Sequence, residues 1–315
     1  MSQPPAAVVG GQAVIEGVMM RSPTGWAVAV RRPDGIIEAE GRDLPKLSSH
    51  SRLAKMPFTR GIMVLGESLS LGFKALSWSA QKSGEEEDEL KRWQVVLTMV
   101  IGVVLAVGLL VIVPVVGANW LKRFFDDSSL AFVVMDGLLR IGFLVGYIAL
   151  IARSDDIQRV FQYHGAEHKT IHAYEAGDPL TIAEIQKYSP RHPRCGTSFL
   201  VIVGMVAFFV FLVLAPLALV WQIAARIVLI SVVAGVSYEV LKAGATSRWL
   251  AWANRPGIWL QAITTNEPTG DQVEVAIASL LVAVDEDEAE RLIALGGIPD
   301  SVINAESTRL GTSNG

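Results

Sequence analysis

One stretch of the sequence reads Phe199-Leu-Val-Ile-Val-Gly-Met-Val-Ala-Phe-Phe-Val-Phe-Leu-Val-Leu-Ala-Pro-Leu-Ala-Leu-Val220. It contains no charged side chain, and it is longer than the roughly 20 residues that a helix needs to cross the hydrocarbon core of a bilayer. Three further stretches have a similar apolar composition, at 95–117, 130–152 and 223–241. The sequence therefore predicts about four transmembrane helices.

The composition favours the same class of protein. Hydrophobic residues make up 51% of the 315 residues, charged residues make up 18%, and the mean hydropathy is +0.41. A water-soluble globule usually carries more charge. The formal net charge of -4 excludes the strongly basic surface of a protein that binds nucleic acid. The single cysteine excludes an intramolecular disulfide framework, and the first residues do not have the pattern of a signal peptide.

Charged residues inside and beside these stretches predict how they lie in the membrane. Asp136 and Arg140 are four residues apart, so they share a helix face and can neutralise each other, while the last stretch carries Arg226 and Glu239. Residues 1–94 are rich in Lys and Arg, whereas the loop after the first stretch has only two basic residues. We therefore expect a multi-pass protein of the bacterial inner membrane with both termini in the cytoplasm.

The fold class predicted from these patterns is a mainly α polytopic membrane protein with about four transmembrane helices, an interfacial helix, a small N-terminal β-hairpin and a cytoplasmic helical loop. The hairpin is expected where two strand-like runs flank Pro33-Asp-Gly35. The predicted regions are a cytoplasmic N-terminal region (1–60), an interfacial helix with an acidic linker (61–94), two pairs of membrane helices (95–152 and 199–241), a histidine-rich cytoplasmic loop (153–198), a cytoplasmic C-terminal region (242–300) and a disordered tail (301–315).

The histidine-rich loop carries the residues with the clearest chemistry. Capping residues at Ser154 or Asp155 and at Gly177 predict one helix of about five turns. His164 and His168 have the i, i+4 spacing that places two imidazoles on one face, and Glu167 completes the pattern HxxEH. In the zincin motif read in reverse, two such histidines bind zinc and the glutamate activates a water molecule. We therefore predict a divalent metal, zinc, with Glu167 as the catalytic residue.

His172 and Glu175 continue the same helix face. At a rise of about 1.5 Å per residue, His172 lies about 12 Å from His164 along the axis, so either one histidine pair binds the ion or the row binds two metals. A further ligand has to come from another part of the chain. Glu239 is the predicted choice, because a carboxylate at membrane depth needs a binding partner.

Two further motifs leave alternatives open. His192 and Cys195 form half of a structural zinc site completed by the loop histidines, or Cys195 is a nucleophile paired with His192, or it is a small packed residue. The glycine-rich stretch from Gly10 onward is either a tight turn or a loop over the metal face. In the second case Glu16 is a ligand or base and Arg21 contacts an anion.

Five motifs in this order resemble the YqhQ family of bacterial membrane proteins over about residues 8–290. They are Gly10-Gly-Gln-Ala-Val-Ile-Glu-Gly-Val-Met-Met-Arg21, Tyr163-His-Gly-Ala-Glu-His-Lys-Thr170, His192-Pro-Arg-Cys-Gly-Thr-Ser198, Ser237-Tyr-Glu239 and Thr264-Thr-Asn-Glu-Pro268. The resemblance implies metal-dependent chemistry and implies no particular reaction.

The sequence thus predicts an integral membrane, metal-dependent hydrolytic enzyme with its HxxEH site at the cytoplasmic membrane face. Its partners are the lipid bilayer and a lipid-linked or membrane-peptide substrate, and nucleic acid is excluded. The alternative is a non-enzymatic membrane assembly factor or transporter with a structural metal site.

Overall fold

The fold is known from a computed structural model. It describes residues 8–44, 59–84, 130–214, 219–246 and 251–310, together with scattered positions between 93 and 126. The acidic run at 85–89, much of the predicted first membrane stretch and residues 311–315 lie outside the described residues.

Five strands form one mixed sheet, in which they lie side by side in chain order. They are β1 (Gly10–Val14), β2 (Gly17–Arg21), β3 (Gly25–Arg31), β4 (Ile37–Asp43) and β5 (Glu306–Leu310). The first four pair antiparallel, and β5 pairs parallel with β4. The predicted hairpin corresponds to β3 and β4, with Val30 opposite Glu38. Strand β5 lies in a region for which the sequence predicts a disordered tail.

The described helices include short connecting helices and long ones that cover the sheet. They are α1 (Thr59–Lys82), α2 (Leu130–Ile151), α3 (Asp155–Ala176), α4 (Ile182–Ile185), α5 (Gly196–Leu214), α6 (Leu219–Thr246), α7 (Arg255–Thr264), α8 (Gly270–Ala283), α9 (Glu286–Ala294) and α10 (Asp300–Ile303). Local capping sets several of their starts. The Thr181 hydroxyl accepts from the Glu184 backbone N–H at α4, and the Asp285 carboxylate accepts from the Glu288 backbone N–H at α9.

Helices cover both faces of the sheet. One face packs in a single core cluster with α3 and α8, through side chains that include Met20, Ala29, Tyr163 and Ile277. The other face packs against α1, where Leu71 and Ala75 join a second cluster of Val14, Met19, Trp26, Val28 and Val30. This arrangement is a three-layer α/β/α core, and it places the histidine helix α3 directly against the sheet.

The prediction of a mainly α polytopic membrane protein with about four transmembrane helices was wrong. Among the residues that the structure describes, one helix is long and apolar enough to cross a membrane, Val134–Ile151 within α2. It covers 18 residues with a mean hydropathy of 1.8, and it lies in a chain that also contains the five-stranded sheet. The predicted stretches at 199–220 and 223–241 overlap α5 and α6.

The physical reason is that an apolar run shows that its side chains avoid water but does not show what covers them. Helix α5 packs against α6 and α7, and Ile202 of α5 is fully buried. The sequence predicted one hairpin and not the whole sheet for a related reason. Because both of its faces are covered, β3 is buried without interruption from Gly25 to Val30 and lacks the polar–apolar alternation of a half-exposed strand.

Helix α1, predicted to lie at the membrane interface, has two different faces. Leu71 and Ala75 are buried against the sheet, and a Cβ on Gly61 would lie 2.9 Å from Tyr238 of α6. Its outer face exposes Leu69 and Phe73. Helix α1 is therefore part of the folded core and also presents apolar side chains at the surface.

Candidate metal centre

Helix α3 places the site residues, and its predicted extent is confirmed. It runs from Asp155 to Ala176, and Gly177 ends it with a φ of +76°, a left-handed conformation that suits glycine. The middle of the helix is buried on more than one side: the exposed fraction of Glu167, His168 and Lys169 is 3% or less. Buried polar side chains are stable only when other groups satisfy them. Each of these side chains therefore requires a partner.

Three potential metal ligands converge beside α3. They are His164, His168 and Cys195, and their ligand atoms all lie within 4.8 Å of one another. His164 Nε2 lies 3.1 Å from Cys195 Sγ, and the centroids of the two imidazole rings are 4.4 Å apart. Cys195 reaches this position because it ends the connection that leads from α4 back to the start of α5.

The hydrogen bonds of the two histidines fix their tautomers. His164 Nδ1 donates to the Thr264 carbonyl at 2.8 Å, and His168 Nδ1 donates to the Pro190 carbonyl at 2.6 Å. A carbonyl oxygen can only accept, so each Nδ1 carries the ring proton and each Nε2 keeps its lone pair. Metal-binding histidines commonly have this arrangement, in which the outer ring nitrogen donates to a carbonyl or carboxylate.

Burial tunes the charges in this cluster. His168 Nε2 is buried and has no hydrogen-bond partner among the described residues. Burial, reinforced by His164, holds the pKa of His168 well below its usual value, so this ring is neutral near pH 7. Burial also raises the pKa of the Cys195 thiol, whose sulfur lies 3.1 Å from the Thr197 hydroxyl. A neutral imidazole is the form that binds a metal.

Glu167 lies on the side of α3 that faces β1. Its pKa is raised to about 8, chiefly by burial and further by Cys195, while His164 and the Gly11 backbone N–H act in the opposite direction. Its Oε2 atom is buried without a hydrogen-bond partner in the described part of the chain. Strand β1 can approach this closely because residue 11 is glycine: a Cβ there would lie 3.2 Å from the Glu167 side chain and 2.3 Å from the Met19 carbonyl oxygen.

His172 and His192 extend the row of imidazoles one turn further. Their ring centroids are 4.5 Å apart, and the ring of His192 lies 5.7 Å from that of His168. His172 Nε2 donates to the Arg191 carbonyl at 3.0 Å, the opposite tautomer to that of His164 and His168. Burial lowers the pKa of His192 to about 4, and Glu175 Oε2 lies 3.6 Å from its Nε2. Glu175 also forms an ion pair with Arg194.

The remaining predicted site residues lie at other positions. The Glu16 carboxylate forms a two-point ion pair with Arg159, including a 2.5 Å contact from Nη2, and accepts a 3.3 Å hydrogen bond from the Tyr163 hydroxyl. Arg21 pairs with Glu67 of α1 at 3.1 Å. Glu239 is a half-buried residue of α6 and is not a member of the three-residue group. Metal binding by His172 or Glu239 stays a prediction.

Sequence reasoning missed the groups that hold the candidate site and its surroundings in place. The Gln261 side chain is fully buried and clamps His192: its Oε1 accepts from the His192 N–H at 2.8 Å and its Nε2 donates to the His192 carbonyl at 2.9 Å. Lys169 Nζ donates to the Gln186 carbonyl at 2.9 Å and pairs with Glu267 at 2.5 Å. The Thr264 and Pro190 carbonyls carry no signal in the sequence, because every residue has a carbonyl.

The donor set fits a zinc ion. Two imidazole nitrogens and one thiolate sulfur are ligands that zinc prefers, and three protein ligands leave a fourth tetrahedral position. The buried Nε2 of His168, for which the described residues supply no partner, is the observation that supports this fit. The fold and this cluster define the class: an α/β/α protein with a buried His–His–Cys group on the helix that packs against its sheet.

The chain belongs to the family described as protein of unknown function (DUF1385), whose model matches residues 56–286. It is also 37% identical over 297 residues to the uncharacterized protein YqhQ of Bacillus subtilis (strain 168), an alignment that covers 88% of this chain and 91% of that protein. The predicted family is thereby confirmed. No solved structure matches the chain.

Proposed function

We propose that this protein is a metal-dependent hydrolase in which His164, His168 and Cys195 hold a zinc ion and Glu167 acts as the general base. The observation that carries the proposal is the convergence of one ring nitrogen from each of the two histidines and the Cys195 Sγ within 4.8 Å. Both imidazoles are oriented for this role by backbone carbonyls. Packed histidines without a metal role would not require His164 Nε2 to lie 3.1 Å from the Cys195 thiol while His168 Nε2 is buried without a partner among the described residues.

The ligand set is that of a catalytic site. Catalytic zinc sites use three protein ligands, and the combination of histidine and cysteine is among those that occur. A bound zinc ion would supply a nucleophile at neutral pH by lowering the pKa of a coordinated water to about 7.

Glu167 supplies the proton acceptor in this proposal. It directly precedes His168, and its Oε2 atom has no hydrogen-bond partner among the described residues and is buried beside the cluster. The Gly11 N–H donates to the same carboxylate and holds it in place. A zinc ion held beside Glu167 would favour its charged form over the pKa of about 8 that burial gives it. In this proposal the Glu167 carboxylate then accepts a proton at Oε2 and returns it to the leaving group of the substrate.

The substrate is proposed to be membrane-associated, either lipid-linked or a membrane peptide. Support comes from Val134–Ile151, which is apolar and whose residues other than Gly137 are exposed or half-buried. Asp136 and Arg140 within it pair at 3.0 Å, so that neither charge is left alone in an apolar environment. This helix would hold the protein at the bilayer, in the bacterial inner membrane.

Metal analysis of the purified full-length protein tests the proposal. We expect about one zinc per chain in the wild type and in His172→Gln, whose Nε2 is already used as a donor to Arg191. His168→Ala and Cys195→Ala should lose the metal. A folded wild type that takes up no zinc from an equimolar solution would refute the metal site.

A structural zinc site in a non-enzymatic membrane assembly factor or transporter is the second candidate. The burial of His168 and Cys195 favours it, because structural sites are closed. Glu167→Gln separates the two. In a hydrolase this variant keeps its zinc and its fold but loses the cellular phenotype, whereas a structural site leaves the phenotype intact.

A further inference from the structure

A cavity of about 710 Å³ lies between the first two strands, helix α1 and the segment that carries Cys195. Its volume is in the range of small-molecule binding sites. The lining includes Gly11, whose backbone N–H contacts the Glu167 carboxylate. A molecule in this cavity would therefore lie beside a residue that contacts the proposed general base.

Two arginines reach this cavity from separate parts of the fold. Arg21 lies on β2, and Arg194 directly precedes Cys195. Arg21 gives one hydrogen bond to Glu67, and Arg194 is paired with Glu175, which does not line the cavity. A guanidinium has five N–H donors, so both arginines keep donors for a ligand. Among the described lining residues Glu67 is the acidic one, so their formal charge sums to +1.

The rest of the lining is suited to an amphiphile. Met19, Leu71 and Leu44 provide apolar wall beside hydroxyl groups such as that of Ser68. Helix α1 forms one wall and exposes Leu69 and Phe73 on its outer face, 54% and 45% exposed. A ligand with an anionic head and apolar chains could therefore contact the same helix both inside and outside the cavity.

We propose that this cavity binds the singly charged phosphodiester headgroup of a membrane lipid. The proposal rests on the proposed function and names its substrate class. Arginines on two walls can each contact one of the two free oxygens of a tetrahedral phosphodiester, whereas a single guanidinium suffices for the planar oxygens of a carboxylate. Hydrolysis would form one P–O bond from water and break one ester P–O bond, while the proton of water passes through Glu167 to the leaving alcohol.

Calorimetric titration of the full-length protein with soluble dihexanoylphosphatidylglycerol tests this inference. Arg21→Gln and Arg194→Gln should each weaken binding about tenfold or more, as expected for the loss of a charge-assisted hydrogen bond. Arg32→Gln is the matched control, since Arg32 pairs with Asp34 and Glu306 away from the cavity. That variant should bind as the wild type does, and thermal unfolding checks that all three variants are folded.

Further probes identify the source of the binding. The headgroup without acyl chains, glycerophosphoglycerol, should bind at least about tenfold more weakly than the lipid, because it lacks the apolar contacts. Equal binding of neutral dihexanoylglycerol, equal binding of octanoate, or unchanged binding in both arginine variants would overturn the proposal. The titration is repeated after zinc is removed with a chelator. Lipid binding that persists in the zinc-free protein supports the lipid site in this cavity even if the proposed zinc site is refuted. Zinc binding without lipid binding refutes the lipid site alone.

Discussion

Gly165→Ala is the sharpest test of how the fold positions the two histidines proposed as metal ligands. Gly165 lies on α3 beside the loop that follows α7, and a Cβ at this position would lie 2.0 Å from the Asn266 carbonyl oxygen. Ordinary contact begins at 3.4 Å, so the carbonyl has to retreat by about 1.4 Å. The Asn266 N–H also donates to the Phe161 carbonyl at 2.9 Å, and this hydrogen bond would break.

The displacement reaches the proposed metal ligand His164 through Thr264. This residue is two positions before Asn266, and its carbonyl accepts the His164 Nδ1–H at 2.8 Å. If the Thr264 carbonyl moves half as far as the Asn266 carbonyl, the hydrogen bond from His164 Nδ1 lengthens to about 3.5 Å, the limit of a hydrogen bond. The loss of such an orienting partner lowers metal affinity about 10- to 100-fold, or about 1.4 to 2.8 kcal/mol. The gain from replacing glycine by alanine in a helix, about 1 kcal/mol in stability, does not restore the ligand geometry.

Competition with a chromophoric chelator measures the zinc affinity of the variant, and thermal unfolding measures its stability. Gly66→Ala is the matched control, because Gly66 is an exposed glycine of α1 whose added Cβ would meet nothing described within 4 Å. The control should keep the wild-type affinity and be slightly more stable. Wild-type zinc affinity in a folded Gly165→Ala protein would show that the Thr264 carbonyl does not position the ligand.

Two further predictions concern stability. Lys169→Ala should lower the free energy of unfolding by about 1 to 3 kcal/mol, because it removes the buried ammonium that joins Gln186 to Glu267. Lys187 is 65% exposed, so the control Lys187→Ala should change the free energy of unfolding by less than about 1 kcal/mol. Urea unfolding measures both values. Arg291 holds the pKa of Glu288 in the folded protein below its usual value. The Glu288 carboxylate therefore stabilises the fold fully at a pH above its pKa in the unfolded chain. This contribution is lost as the pH falls through the lower pKa of Glu288 in the folded protein. Glu288→Gln should therefore be less stable than the wild type at pH 7 and equally stable at pH 2, and a difference that persists at pH 2 would contradict this account.

The histidine helix shows what local sequence can determine. Its start, its end and the spacing of His164, Glu167 and His168 follow from capping residues and the helical repeat, and the structure has the helix at these positions. The same reasoning located the hairpin of β3 and β4, because a turn sequence separates them. Both features depend on residues that are close along the chain.

The sheet and the number of membrane helices depend on residues that are far apart. Strand β5 joins the sheet from the end of the described chain, and its pairing with β4 links Glu306 to Glu38. A short stretch of sequence does not predict which distant strand will pair with it. For the same reason the apolar run of α5 predicted a membrane helix, although the packing of α6 and α7 on α5 accounts for part of its apolar surface.

The sequence by itself determined the helix, its row of histidines and the family. Only the tertiary structure decided which candidate ligands meet: Cys195 contacts His164 across 31 positions, and the Thr264 carbonyl that orients His164 lies 100 positions away. It also decided that Glu16 pairs with Arg159 and that Glu167 lies against Gly11. Local patterns fix local geometry because backbone hydrogen bonds and caps act within a few residues, whereas contacts between distant segments depend on how the layers pack.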